Sequence, residues 1–293
     1  MFDLELSDEQ MMLERSVREW GAREVSPRIR ELDRKHHFDP NILPQMASLG
    51  LLGICIPEDY GGAGMDYVSF GLACEEAEYV DTSLRVILSV HVGLSCLSLL
   101  TWGTEEQKQR FLIPQAKGLK IASYGLTEPD AGSDVRGIQT VAVKRGDRYV
   151  LNGEKMWISL GDVADHFLVF AYSDLEKKRK RDVSGISAFM VERDRTGFSS
   201  GTLTEKWGIL AGNTGFFKMD DVEIPEENLL GFEGEGFKIE HQLIRLVHKP
   251  TAPKFSNFTS DLTPIWNWRT CKSTVRHRDV YATDFVMYDF MPC

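Results

Sequence analysis

Helical and β patterns occupy separate blocks of this chain, and that separation limits its folds more than any other feature. Residues 1–118 carry apolar side chains at helical spacing, whereas 119–231 break into short β-like runs with turn signals between them. Such blocks predict an α+β protein: an all-helical domain (1–118) followed by a separate β domain (119–231), not an alternating α/β sheet. Glycine marks a third region. All 25 glycines lie at or before Gly236, and the last 57 residues contain none.

Within the first block, Ser7-Asp8-Glu9-Gln10 reads as a capping box, followed by Leu13, Val17 and Trp20 at helical spacing. A second helix is predicted with Asp39 as N-cap, Pro40 at its first position and Gly50 past its end. Turn residues 57–64 precede another stripe, Val68, Leu72 and Tyr79. Leu84 to Leu100 reads as a buried helix, and Thr104-Glu105-Glu106-Gln107 as a capping box opening a helix that Pro114 limits.

The second block offers β runs at Val141–Val143, Tyr149–Leu151, His166–Ala171 and Ile186–Val191, with turns at Arg145-Gly146-Asp147 and Asn152-Gly153. The basic run Lys177–Arg181 lies between two of them and is expected to be a solvated loop. Gly234-Glu235-Gly236 follows no βαβ strand and lacks a third glycine, so a dinucleotide fingerprint is rejected. His36 and His37 suit a surface better than a metal site.

Composition removes several classes. Lys plus Arg is 34 against 44 Asp plus Glu, a formal charge of −10, which argues against a nucleic-acid partner. Residues 240–293 carry seven basic and five acidic side chains, leaving 27 and 39 for the rest. No apolar run approaches the roughly eighteen residues of a membrane span, so no integral membrane segment is expected. The acidic start lacks a signal or transit pattern. Five cysteines with no C-x-x-C suggest neither disulfides nor a metal site, and a reducing compartment is expected.

Two stretches carry chemistry. Tyr124-Gly-Leu-Thr-Glu-Pro-Asp-Ala-Gly-Ser-Asp134 reads as a loop leaving a strand, with the hydroxyls of Thr127 and Ser133 among free amides. Such a nest suits phosphate or the polar edge of a flavin; an ordinary Gly/Pro turn is the plainer alternative. Glu154-Lys-Met-Trp-Ile-Ser159 sets Trp157 and Ser159 two residues apart on a strand, hence on one face. There they could cover and bond a flat ring, or Trp157 could be half-buried core.

Together the two stretches resemble the acyl-CoA dehydrogenase family, with further agreement at Pro57–Gly64, Gly103–Lys108, Lys206–Ile209, Asp220–Pro225, Asn228–Gly231 and Gly234–Ile239. The resemblance runs from about residue 5 to 239. It implies an N-terminal helical domain, a middle β-barrel-like domain and a C-terminal four-helix bundle, assembled as a homotetramer. It implies FAD as cofactor, an acyl-CoA substrate oxidised to the trans-2-enoyl-CoA with hydride transfer to flavin N5, and an electron-transferring flavoprotein as acceptor. Fatty-acid β-oxidation and amino-acid catabolism are the implied settings, in a bacterial or archaeal cytoplasm or a mitochondrial matrix. By resemblance Tyr124, Leu126 and Thr127 line the flavin, and Gly132 and Ser133 serve its pyrophosphate. Ser133 also approaches the CoA chain, Trp157 covers the ring, Ser159 keeps a hydroxyl near N5, and Ile158 between them is counted with the cofactor-binding residues.

After Ile239 the resemblance ends. The family's Asp-x-x-Arg helix, Arg-x-x-Phe-Gly segment and Gly-Gly-x-Gly-Tyr segment are not found, and no catalytic base is identified. Residues 232–293 are therefore expected to begin a C-terminal domain and pass into an atypical tail, by out-of-frame translation or fusion, the alternative being a real, lineage-specific ending. Two functions follow from the sequence: a dehydrogenase of a short or branched acyl-CoA, or a truncated, non-catalytic relative retaining partial FAD or acyl-CoA binding or a subunit role.

Overall fold

The computed structural model describes residues 5–241, and the atypical tail lies outside them. Helix α1 (Asp8–Trp20) begins where the Ser7 hydroxyl accepts the Gln10 amide at 3.2 Å and Gln10 returns a bond to the Ser7 amide at 3.0 Å. It buries Val17 and Trp20 and continues through a π turn, Gly21–Val25, into α2 (Ser26–Lys35). Helix α3 (Ile42–Ser48) starts later than expected, with Asn41 rather than Asp39 at its N-cap. The Asp39 carboxylate is taken by Arg28 at 2.7 Å and by both nitrogens of Asn41, so it closes the preceding turn instead.

Helix α4 (Tyr67–Val80) is capped by Asp66, which accepts the Ser69 amide at 2.7 Å. The expected buried helix is α5 (Thr82–Leu88), a π segment (Ser89–Cys96) and α6 (Leu97–Trp102) in series. This corrects the reading of the apolar runs: Thr82–Trp102 is 21 residues, long and apolar enough to cross a membrane by length and composition. Much of it is packed inside the protein, as a core helix requires. Helix α7 (Glu105–Gln107) opens with the expected capping box at Thr104. A π turn, Lys108–Leu112, leads into α8 (Ile113–Ala116), so Pro114 does not end the helix. It sits in the first turn after a π segment, where its missing N–H costs little.

The β block forms one eight-stranded sheet: β1 (Ala122–Gly125), β2 (Val141–Arg145), β3 (Arg148–Ser159), β4 (His166–Tyr172), β5 (Ile186–Glu192), β6 (Phe198–Thr202), β7 (Thr214–Pro225) and β8 (Leu229–Leu230). The path runs β6-β7-β3-β2-β4-β5-β8, with β1 parallel to β4 off the path. Arg145 and Arg148 pair across Gly146-Asp147, the hairpin turn the sequence signals. Asn152-Gly153 is not a turn. It lies inside β3 at a register shift, because β3 is twelve residues long and bulges there against β7.

Strand β4 is buried at every position, which its unbroken apolar run requires. Phe167, Val169 and Ala171 join a core with Val17, Trp20 and Phe217, while Leu168, Phe170 and Tyr172 join Leu99, Phe111 and Leu112. Both cores mix helix and sheet residues, so the helical block is fastened to the sheet on either side of β4. The basic run lies in exposed α9 (Leu175–Arg179) and the turn after it, capped by Asp174.

Candidate functional site

Strand β1 delivers the site. Its Ala122 amide donates to His91 Nδ1 at 2.9 Å, and the Ser123 hydroxyl donates to the Ser159 carbonyl at 2.6 Å. These bonds fix where the chain leaves the sheet. Beyond Gly125 the next residues are held against β3, because the Met156 amide donates to the Thr127 carbonyl at 3.0 Å. Glu128 and Ala131 then exchange backbone bonds at 3.0 and 3.2 Å, closing the tight turn that Pro129 shapes. Gly132 and Ser133 follow on the exposed side of that turn.

Trp157 stands beside this loop in a special conformation. Its φ is +61°, and the β3–β7 register slips between Met156 and Ile158. A non-glycine residue there is uncommon and belongs to a bulge. The bulge corrects one expectation: alternation would put Trp157 and Ser159 on one face, yet Trp157 is 41% exposed while Ser159 is buried. The extra residue takes Trp157 out of the alternation and turns its ring outward. The Ile158 side chain packs in the main core. Tyr124 packs on Phe170 with ring centroids 5.1 Å apart, and burial holds its phenol well above the usual range.

Leu126 and Thr127 are half-buried, and the Met156–Thr127 bond sets Thr127 one residue from the exposed Trp157, while Tyr124 and Leu126 pack against the second core. Gly132 and Ser133 sit further along the loop. This surface fits the flavin implied by resemblance. The Thr127 hydroxyl forms no hydrogen bond with another described residue, a flat aromatic surface is presented, and a Cβ at Gly132 would meet open space.

Lys155 and Glu128, which hold this geometry, were not singled out as a pair by the sequence. Lys155 is fully buried, and its Nζ lies 2.8 Å from Glu128 Oε1 and 3.0 Å from the Leu126 carbonyl. Burial alone would raise the Glu128 carboxyl. Lys155 and donors from Gln139 and Thr140 outweigh it and hold that carboxyl below the ordinary range. Glu240 is buried too, close enough to Tyr124 for its charge to be felt, and desolvation pushes its carboxyl up to about 7.

Comparison with known proteins identifies the family. Residues 7–119 match the family profile described as acyl-CoA dehydrogenase, N-terminal domain, and residues 123–222 match the middle domain of the same family. This chain belongs to the acyl-CoA dehydrogenase family. Among acyl-CoA dehydrogenases, the short-chain specific protein of Clostridium acetobutylicum is 45% identical over 238 residues, covering 81% of this chain and 62% of the relative. Butyryl-CoA dehydrogenase from Megasphaera elsdenii superposes with a TM-score of 0.79 at 38% identity, covering 83% of this chain and 63% of that one. An acyl-CoA dehydrogenase from Bacillus anthracis, solved with FAD, gives 0.76 at 35% identity, covering 83% of this chain and 41% of that one. This acyl-CoA dehydrogenase family member thus spans about three fifths of the length of the curated relatives it matches.

Proposed function

We propose that Leu126, Thr127 and Trp157 form one wall of an FAD site, and that the protein serves the oxidation of a short or branched acyl-CoA to its trans-2-enoyl-CoA. The observation that carries this reading is the pairing of an uncommitted Thr127 hydroxyl with an outward-turned Trp157, locked together through the Met156 amide. When bound, FAD supplies the two-electron acceptor. The chain's own residues orient and shield it. Thr127 offers a hydrogen bond that needs no titration, the indole excludes water from a ring face, and the Gly132-Ser133 turn leaves room for phosphate oxygens and the CoA chain. Short-chain relatives support the size of the acyl group, an electron-transferring flavoprotein is the acceptor this reading needs, and a homotetramer is its assembly.

One observation favours a second reading, a relative that binds FAD or acyl-CoA without turnover. Among the described residues neither buried carboxylate near the wall offers an open base: Glu128 is consumed by Lys155, Gln139 and Thr140, and Glu240 is only 6% exposed. A thioester α-proton needs a general base, worth about 10²–10⁴-fold. Anaerobic addition of butyryl-, isovaleryl- and palmitoyl-CoA to the FAD-loaded chain separates the readings. Bleaching of the flavin band by the shorter substrates supports dehydrogenation. FAD uptake with no bleaching by any of them supports the second reading.

A further inference from the structure

We infer that the buried Lys155–Glu128 pair is a positioning clamp that sets the flavin-facing stretch 126–128 against Trp157; this rests on the FAD reading above. The pair joins three pieces of backbone. Lys155 belongs to β3, Glu128 to the loop after β1, and the Glu128 carboxylate also accepts the amides of Gln139 and Thr140 ahead of β2, at 2.5 and 3.0 Å. The Thr140 hydroxyl donates to Oε1 at 2.5 Å. Glu128 therefore takes four bonds, and Lys155 spends another on the Leu126 carbonyl.

The consequence is local. Three consecutive residues are pinned from behind: Leu126 by its carbonyl, Thr127 by its carbonyl and Glu128 by its side chain. What stays uncommitted is the Thr127 hydroxyl. Stability alone does not call for this arrangement, since an apolar pair of similar volume often replaces a buried ion pair without loss, whereas removing one partner strands a charge. An ion pair with fixed acceptors differs from an apolar pair in one respect: it specifies where the Leu126 carbonyl and the Glu128 turn must sit. Neither residue needs to touch the flavin for that.

The test uses the full chain and compares wild type with Lys155→Met, Glu128→Leu, the double variant Glu128→Leu/Lys155→Met, and Thr140→Val. Thermal midpoint, FAD dissociation constant and the visible spectrum of bound flavin are read. Single charge removals are expected to lower the midpoint most. The double variant is expected to recover most of the midpoint, yet bind FAD at least tenfold more weakly with a shifted flavin band. Thr140→Val, which loosens the carboxylate without stranding a charge, is expected to weaken FAD binding several-fold with a smaller band shift. A double variant with wild-type affinity and spectrum overturns the inference; should the double variant not fold, an unchanged Thr140→Val does the same. A wild-type chain that takes up no FAD instead removes the FAD reading beneath it.

Discussion

His91 Nδ1 accepts the Ala122 amide at 2.9 Å, joining the middle of the long helix to the first residue of β1. The imidazole is thereby neutral, and its Nε2–H donates to the Gln115 carbonyl at 3.1 Å. Burial drives its pKa from 6.5 down to about 4, so the unfolded chain binds the proton more readily. Its contribution is complete above pH 6.5 and is lost as pH falls towards about 4. The loss amounts to about 3 kcal/mol at most. Urea midpoints across that range are expected to fall less steeply in His91→Gln than in wild type. Burial also lowers the neighbouring His166, so some slope should remain in the variant. Parallel slopes would contradict the account of His91.

Glu240 predicts the opposite dependence. Its carboxyl is raised from 4.5 to about 7, so the folded state favours the protonated form. Stability is then complete below pH 4.5 and declines as pH rises through about 7. Glu240→Gln should gain stability relative to wild type at the upper end of this window and not at the lower. A gain that ignores pH would show that the carboxylate is not desolvated as described.

Two glycines should respond differently to alanine. At Gly153 φ is +152°, and an added Cβ would lie 2.3 Å from Thr140 Oγ1 and 2.7 Å from Thr140 Cα. Gly153→Ala is expected to cost about 1–3 kcal/mol in urea unfolding and, by disturbing Thr140, to loosen the Glu128 clamp. Gly132→Ala meets open space, so its folding stability should stay within about 0.5 kcal/mol of wild type while FAD binding weakens. Equal stability of the two variants would contradict this reading of the bulge in β3.

Much of this was legible beforehand where the signal was local. The capping boxes at Ser7 and Thr104 and the hairpin at Gly146-Asp147 depend only on near neighbours, and each forms as read. Asp39 misled because its carboxylate was claimed by Arg28, eleven positions away, a contact that spacing cannot reveal. Asn152-Gly153 and Trp157 misled because bulges are created by pairing with β7, more than fifty residues downstream. The residues of the proposed wall stand in motif strings. The Lys155–Glu128 pair that holds them was in the same strings but invisible as a pair, since buried charge is recognised only once both partners are placed.

The proposed flavin-binding surface joins Thr127 to Trp157. It is tested most directly by titrating FAD into the purified chain and into Thr127→Val and Trp157→Ala, following flavin absorbance and tryptophan fluorescence. Wild type should bind FAD with quenching of the Trp157 emission. Thr127→Val should bind about 2–10-fold more weakly, the worth of one hydrogen bond, with a shifted flavin band. Trp157→Ala should lose affinity together with most of the quenching. If both variants bind FAD with wild-type affinity and an unchanged spectrum, the Thr127–Trp157 wall is not the flavin site.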